Sequence, residues 1–137
     1  MTYLFDTNIV SELRRPELAN SGVISWTATI SRDEVFVSAI TLLELERGVL
    51  KAERNDTTKG HALRRWMTTH VRPTYDAQAL PVTTEIALRA APFAQLPTVD
   101  LADHLIAATA IVHDFTLVTR NVSHFTSTGV RLFNPFT

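Results

Sequence analysis

The chain has no cysteine among its 137 residues. That excludes disulfides, thiolate catalysis, iron–sulfur clusters and cysteine-ligated zinc together. Glycine and proline are scarce, at 4 and 6, so collagen-like and low-complexity classes drop out. Neither a Gly-x-Ser-x-Gly elbow nor a glycine-rich phosphate loop occurs. No stretch approaches the roughly 18 to 20 apolar residues that a membrane span requires. The opening Met1 to Asp6 reaches an acid before any long apolar run and does not read as a signal peptide. What is present is 45% hydrophobic and 20% charged residues, the composition of a folded chain rather than a disordered one. Residues 1–137 read as one soluble, cytoplasmic domain, long enough to bury a core without a covalent staple.

Neither sign of charge is in excess: thirteen basic groups face fourteen acidic ones. Their distribution is uneven. Residues 1–46 carry net −4, residues 47–72 net +5 and residues 73–137 net −2. Eleven of the thirteen basic residues are Arg, whose planar fork suits phosphate. A basic middle between acidic ends can bring a polyanion to an acidic, metal-holding centre. The same charges also read as the water-facing sides of amphipathic helices.

The chain alternates strands and helices. Tyr3-Leu4-Phe5 and Val35-Phe36-Val37 are short apolar runs typical of buried strands. Thr116 to Thr119 is a third, and Val130 to Phe133 a fourth at an edge. A short helix opens at Thr7-Asn8 and is closed by Arg14-Arg15-Pro16. Further helices are expected over Glu17 to Ile30, Ile40 to Glu53 with Ser38 as N-cap, Thr58 to His70, Thr83 to Ala91 and Asp100 to His113. This pattern predicts an α/β fold with a small, mostly parallel sheet flanked by helices on both faces. There is no internal repeat and no linker.

In such a sheet, function collects outside the carboxyl ends of the strands. Asp6 ends the first strand. Glu44 lies early in the helix after the second. Asp100 and Asp103 open the helix before the third, and Asn121 and Ser123 follow that strand. Each acid also has a purely structural reading. Asp6 and Asp100 suit helix N-caps, and Thr41-Leu42-Leu43-Glu44 fits a capping box. Caps, however, need not converge on one rim. Converging carboxylates repel each other in a partly desolvated cleft, and a hard divalent cation such as Mg²⁺ or Mn²⁺ resolves that repulsion. Such an ion activates water and neutralises charge growing on a phosphate. The chemistry these parts suit best is metal-dependent phosphodiester cleavage.

Three segments carry a family resemblance. They are Tyr3-Leu4-Phe5-Asp6-Thr7-Asn8-Ile9-Val10-Ser11-Glu12-Leu13-Arg14; Val37-Ser38-Ala39-Ile40-Thr41-Leu42-Leu43-Glu44-Leu45-Glu46-Arg47-Gly48; and Asp103-His104-Leu105-Ile106-Ala107-Ala108-Thr109-Ala110, continued by Leu117-Val118-Thr119-Arg120-Asn121-Val122-Ser123-His124-Phe125 and Phe133-Asn134-Pro135. In this order the chain resembles PIN-domain ribonuclease toxins of the VapC family, in their FitB-like branch, with 50–95 the least distinctive stretch. The resemblance implies a metal-dependent endoribonuclease, the toxic half of a toxin–antitoxin pair. It also implies a homodimer silenced by a small antitoxin, with higher toxin–antitoxin assembly open. Asp6, Glu44 and Asp103 match the family's metal carboxylates. Asn121 stands where many relatives carry Asp, which puts a fully occupied second metal site in question. Thr119 matches a hydroxyl position near it. Thr7 and Asn8 match residues that hold Asp6 and bound waters, while Asp100 lies outside the core pattern and reads as a cap. Arg14, Arg47 and Arg120 are candidates for RNA or antitoxin contact.

Other residues read more plainly. His61, His70, His104, His113 and His124 are scattered with no i,i+4 pair, and a His-based zinc site is not expected. Trp26 and Trp66 read as core or dimer contacts rather than base-stacking platforms. A phosphotransfer enzyme would want a second Asp where Asn8 stands and a nearby Lys, but the only lysines are Lys51 and Lys59. The rival left standing is a catalytically weak PIN-fold scaffold that binds RNA or a protein.

Overall fold

The computed structural model describes residues 1–96 and 100–137. Five parallel strands form one sheet: β1 Tyr3–Phe5, β2 Val35–Ser38, β3 Ala79–Leu80, β4 Thr116–Val118 and β5 Leu132–Phe133. Their order across the sheet is β3-β2-β1-β4-β5. The chain builds outward from β1 to β3, then returns to lay β4 and β5 on the other side of β1. The strand order therefore reverses between β1 and β4, the place where open parallel sheets leave a crevice at their carboxyl ends.

Alternation along the strands supplies two cores. Leu4 and Leu117 face one side, with Ile86, Phe93 and Ile106. Phe5, Val37 and Val118 face the other, with Ile9, Val10 and Val49. Because helices cover both faces, the strands are apolar throughout rather than half polar. On the first side lie α6 (Thr84–Ala90) and α7 (Leu101–His113). On the second lie α1 (Thr7–Glu12), α2 (Ser21–Thr27), α3 (Ala39–Asn55) and α4 (Thr57–Trp66). Trp26 packs edge-on against Tyr3, with centroids 5.0 Å apart, and against Phe133 at 4.9 Å, so its expected core role holds. Among the described residues no helix is long and apolar enough to cross a membrane.

Three details differ from the expectation. The helix expected over Glu17 to Ile30 is broken: Pro16–Leu18 form a 3-10 turn and Ala19 is extended. Asn20 then caps α2, its side chain accepting from the amides of Gly22 and Val23, an alternative that a short polar side chain offers the backbone. The helix expected to end near His70 instead passes through a π turn, Met67–Val71, into α5 (Arg72–Tyr75). The wider turn admits Pro73, which lacks the N–H that a regular turn would use. The short strand β3 falls in the undistinctive middle of the sequence, and β5 keeps only Leu132–Phe133 of the expected edge strand.

Helices α3 and α4 form a tight hairpin. Asp56 ends the first and caps the second by accepting from the Lys59 amide at 3.1 Å. Arg64 of α4 then grips α3 twice. Its two terminal nitrogens donate to Glu46 at 2.8 Å each, and its Nε and one Nη donate to Glu53 at 3.2 and 3.0 Å. Part of the positive charge of segment 47–72 is thus neutralised internally. Gly60 makes the approach feasible, since a Cβ there would lie 2.6 Å from the Glu53 Cα. Gly60→Ala should therefore destabilise the fold by about 1–3 kcal/mol through overpacking, although in an unencumbered helix the same change gains ~1 kcal/mol. The denaturant midpoint reads the sign.

Candidate active site

Asp6 leaves β1 and caps α1. Its Oδ1 accepts from the Thr7 amide at 2.8 Å, while Oδ2 accepts from the Thr119 hydroxyl at 2.8 Å and Asn8 Nδ2 at 3.1 Å. The residue is only 4% exposed. Burial raises its pKa, and the hydrogen bonds from Thr119, Thr7 and Asn8 work against that rise. Thr119 is a hub at the end of β4, also accepting from Asn8 Nδ2 at 3.2 Å and from the Asn121 amide at 3.0 Å. Asn8 Oδ1 accepts in turn from the Arg120 amide at 3.1 Å. The loops after β1 and β4 are therefore stitched together through the Asp6 carboxylate. Capping and site membership, set as alternatives by the sequence, coincide in Asp6.

Glu44 is not part of a capping box. Ser38 caps α3, accepting from the Ile40 amide at 3.0 Å, and this releases Glu44 to reach α1, where its Oε1 accepts from the Thr7 hydroxyl at 2.6 Å. Thr7 thus holds two acids: Asp6 through its amide and Glu44 through its side chain. Asp100 caps α7 by accepting from the Asp103 amide at 2.9 Å, as its sequence reading has it, and it also lines the cleft.

Asp103 is half-buried on the first turn of α7. Burial, then repulsion from Asp100, Asp6 and Glu44, pushes its carboxyl pKa up to about 6; His124 opposes the rise. His124 Nδ1 stands 3.6 Å from Asp103 Oδ2. With no metal-ligand spacing to mark it in the sequence, His124 nonetheless lies three residues beyond Asn121, on the same rim.

These side chains surround a cleft of about 560 Å³, lined by Asp6, Glu44, Asp100, Asp103, Asn121 and His124 among others. Arg14, Arg47 and Arg120 do not line it. Arg120 instead lies over the Phe136 ring at 5.1 Å, Arg47 is exposed on α3, and Arg14 faces a separate hollow beside Pro16 and Tyr75. His104 turns away from Asp103 toward Phe93, with ring centroids 6.1 Å apart.

Among the described residues no three acidic or histidine side chains stand close enough together to hold a metal ion as they are. The arrangement is open: hard oxygen donors from β1, α3 and α7 around a roomy polar cleft. That donor set fits Mg²⁺ or Mn²⁺, which use one or two carboxylates and keep several waters. It does not suit a soft, fully protein-ligated metal. The elevated proton affinity of Asp103 marks the negative charge that a cation would relieve.

The family model described as PIN domain matches residues 3–128. Over 97% of both chains, the sequence is 33% identical to Toxin FitB of Neisseria gonorrhoeae. It is 50% identical over 66 residues to Ribonuclease VapC14 of Mycobacterium tuberculosis, a match spanning 48% of this chain and 63% of that one. The solved structure of FitAcB from Neisseria gonorrhoeae superposes with a TM-score of 0.85 at 32% identity, covering 98% of each chain. The five-stranded parallel sheet and the expected resemblance agree: the chain belongs to the PIN-domain family, in the branch that holds the VapC ribonucleases and the FitB toxin.

Proposed function

We propose that the chain is the toxic component of a type II toxin–antitoxin pair, acting as an endoribonuclease that depends on Mg²⁺ or Mn²⁺. The observation that carries this reading is the meeting of Asp6, Glu44 and Asp103, from three separate segments, at the point where strand order reverses. Similarity to a named toxin and a named ribonuclease supports the choice of RNA, since carboxylate-held metal chemistry does not itself select the sugar. Following the family resemblance, the working unit is a homodimer, and a cognate small antitoxin silences it.

Asp6, Glu44 and Asp103 would hold the cation, which when bound supplies Lewis-acid activation of water and neutralises charge on the phosphate. The remaining work belongs to the protein. Three hydrogen bonds fix the orientation of Asp6 and favour its ionised form against the cost of burial. Thr7 holds Glu44 at a set distance from Asp6. Burial and the neighbouring acids Asp100, Asp6 and Glu44 raise the pKa of Asp103, and a cation in the cleft would offset the repulsive part of that rise. Asn121 offers the cleft an uncharged donor and acceptor where an acid would add further repulsion.

The reading is tested by incubating RNA with purified protein in Mg²⁺, Mn²⁺ or chelator. Cleavage should require the metal and disappear in Asp103→Asn. Retained activity in that variant removes Asp103 from the site. A stability test follows from the raised pKa. Over the interval from the ordinary value of 3.8 to about 6, the native state keeps a proton that the unfolded chain has lost. Metal-free protein therefore loses stability as pH rises through that interval. Asp103→Asn should gain about 1–3 kcal/mol over wild type in chelator at neutral pH, and the gain should fade on acidification below the interval; thermal melts across pH would show it. Asn121→Asp should tighten metal binding in a calorimetric titration, and an unchanged titration would place residue 121 outside the ion's reach.

A further inference from the structure

Four segments line the acidic cleft, and the one after β4 contributes Asn121 and His124 rather than a carboxylate. These two sit on a fixed support. The Asn121 amide donates to the Thr119 hydroxyl at 3.0 Å. The short helix α8 (Val122–Phe125) is anchored by Phe125, fully buried in the core that holds Leu4 and Leu117. His124 Nδ1 stands 3.6 Å from Asp103 Oδ2, beyond hydrogen-bond reach. Two ligands at right angles on one ion, each about 2.1 Å from it, lie about 3.0 Å apart. A small rotation of either side chain would therefore close the pair on a cation. Both are free to make it: among the described residues neither side chain takes part in a hydrogen bond, whereas Asp6 accepts three and Glu44 one.

We propose that His124 selects the metal: its neutral ring joins Asp103 in holding the cation, so the cleft takes Mn²⁺ in preference to Mg²⁺. The inference rests on the metal-dependent reading given above and decides which ion serves it. Mg²⁺ demands a near-ideal shell of oxygen donors and gives up its waters reluctantly. Imidazole is a ligand of transition ions, while carboxylates and water suit Mn²⁺ as well as Mg²⁺. Three carboxylates with one nitrogen donor therefore match Mn²⁺ on both counts. Asn121 reinforces the choice, because this rim adds no charge of the kind that would strengthen a purely ionic Mg²⁺ site. An ion pair with Asp103 is the other role that the distance allows. An imidazolium, however, would repel the cation that the carboxylates attract.

The test titrates Mn²⁺ and, separately, Mg²⁺ into the metal-free full chain at about pH 8, where free imidazole is neutral. Pulsed electron paramagnetic resonance of the wild-type complex should show a nitrogen nucleus bound directly to Mn²⁺. In His124→Ala that coupling should vanish and Mn²⁺ affinity fall about tenfold, while Mg²⁺ affinity, read by calorimetry, stays unmoved. His124→Gln, which offers an oxygen in place of the nitrogen, should lose the coupling and narrow the gap between the two ions. Mn²⁺ bound without nitrogen coupling, or with an affinity that His124→Ala leaves unchanged, overturns the ligand. It leaves the oxygen site and the nuclease reading standing, and a lower melting temperature of metal-free His124→Ala would then assign the histidine to an ion pair. No Mn²⁺ bound at all overturns the ligand and the metal site together. Nitrogen-coupled Mn²⁺ without any RNA cleavage by wild type supports the ligand and overturns the nuclease reading instead.

Discussion

A carboxylate removed from water must be given hydrogen bonds in exchange, and the centre of this molecule is arranged around meeting that requirement at Asp6. The partners come from both sides of the strand reversal: Thr7 and Asn8 from the start of α1, Thr119 from the end of β4. Because Thr119 and Asn8 also receive the amides of Asn121 and Arg120, one buried charge fixes the course of two loops. Glu44 and Asp103 then have a stable rim to approach. The repulsion among them is confined to an open cleft, where solvent and a counter-ion can moderate it.

Helix α3 links that acidic rim to the basic middle of the chain. Its first turns deliver Glu44 to Thr7, and its later turns carry Arg47, Lys51 and Arg54 on the outside. Arg64 and Gly60 lock α4 alongside it. The net +5 segment is therefore not a uniform basic patch. Arg64 and Arg72 are paired with carboxylates, while among the described residues Arg47, Lys51 and Arg54 of α3 and Lys59 and Arg65 of α4 form no ion pair.

Elements with strong local signals were legible in the sequence: the apolar runs of β1, β2 and β4, the Ser38 cap, the long amphipathic α3 and the apolar α7. So was the gathering of Asp6, Glu44 and Asp103, because topology alone sends strand ends to one rim. Features decided by distant partners were not legible. β3 is two residues long and has no periodicity to read. Thr41 and Glu44 spell a capping box, yet Thr7, thirty-seven positions before Glu44, outcompetes it. His124 sits in a segment that carries the family resemblance but has no metal-ligand spacing to single it out, and it gains its place only from the short turn that brings it beside Asp103. The middle segment, least distinctive in sequence, became informative once α3 and α4 closed on each other.

The double duty of Asp6 has an evolutionary consequence. Asn caps a helix about as well as Asp and carries no charge to desolvate, but its amide nitrogen would face Asn8 Nδ2 and the Thr119 hydroxyl, both of which donate to Oδ2. A buried donor set against donors is costly, so losing the charge at residue 6 also loosens the loops after β1 and β4. Silence at this position is therefore bought with order, and a lineage drifting toward an inert copy meets a stability barrier here before it meets any other.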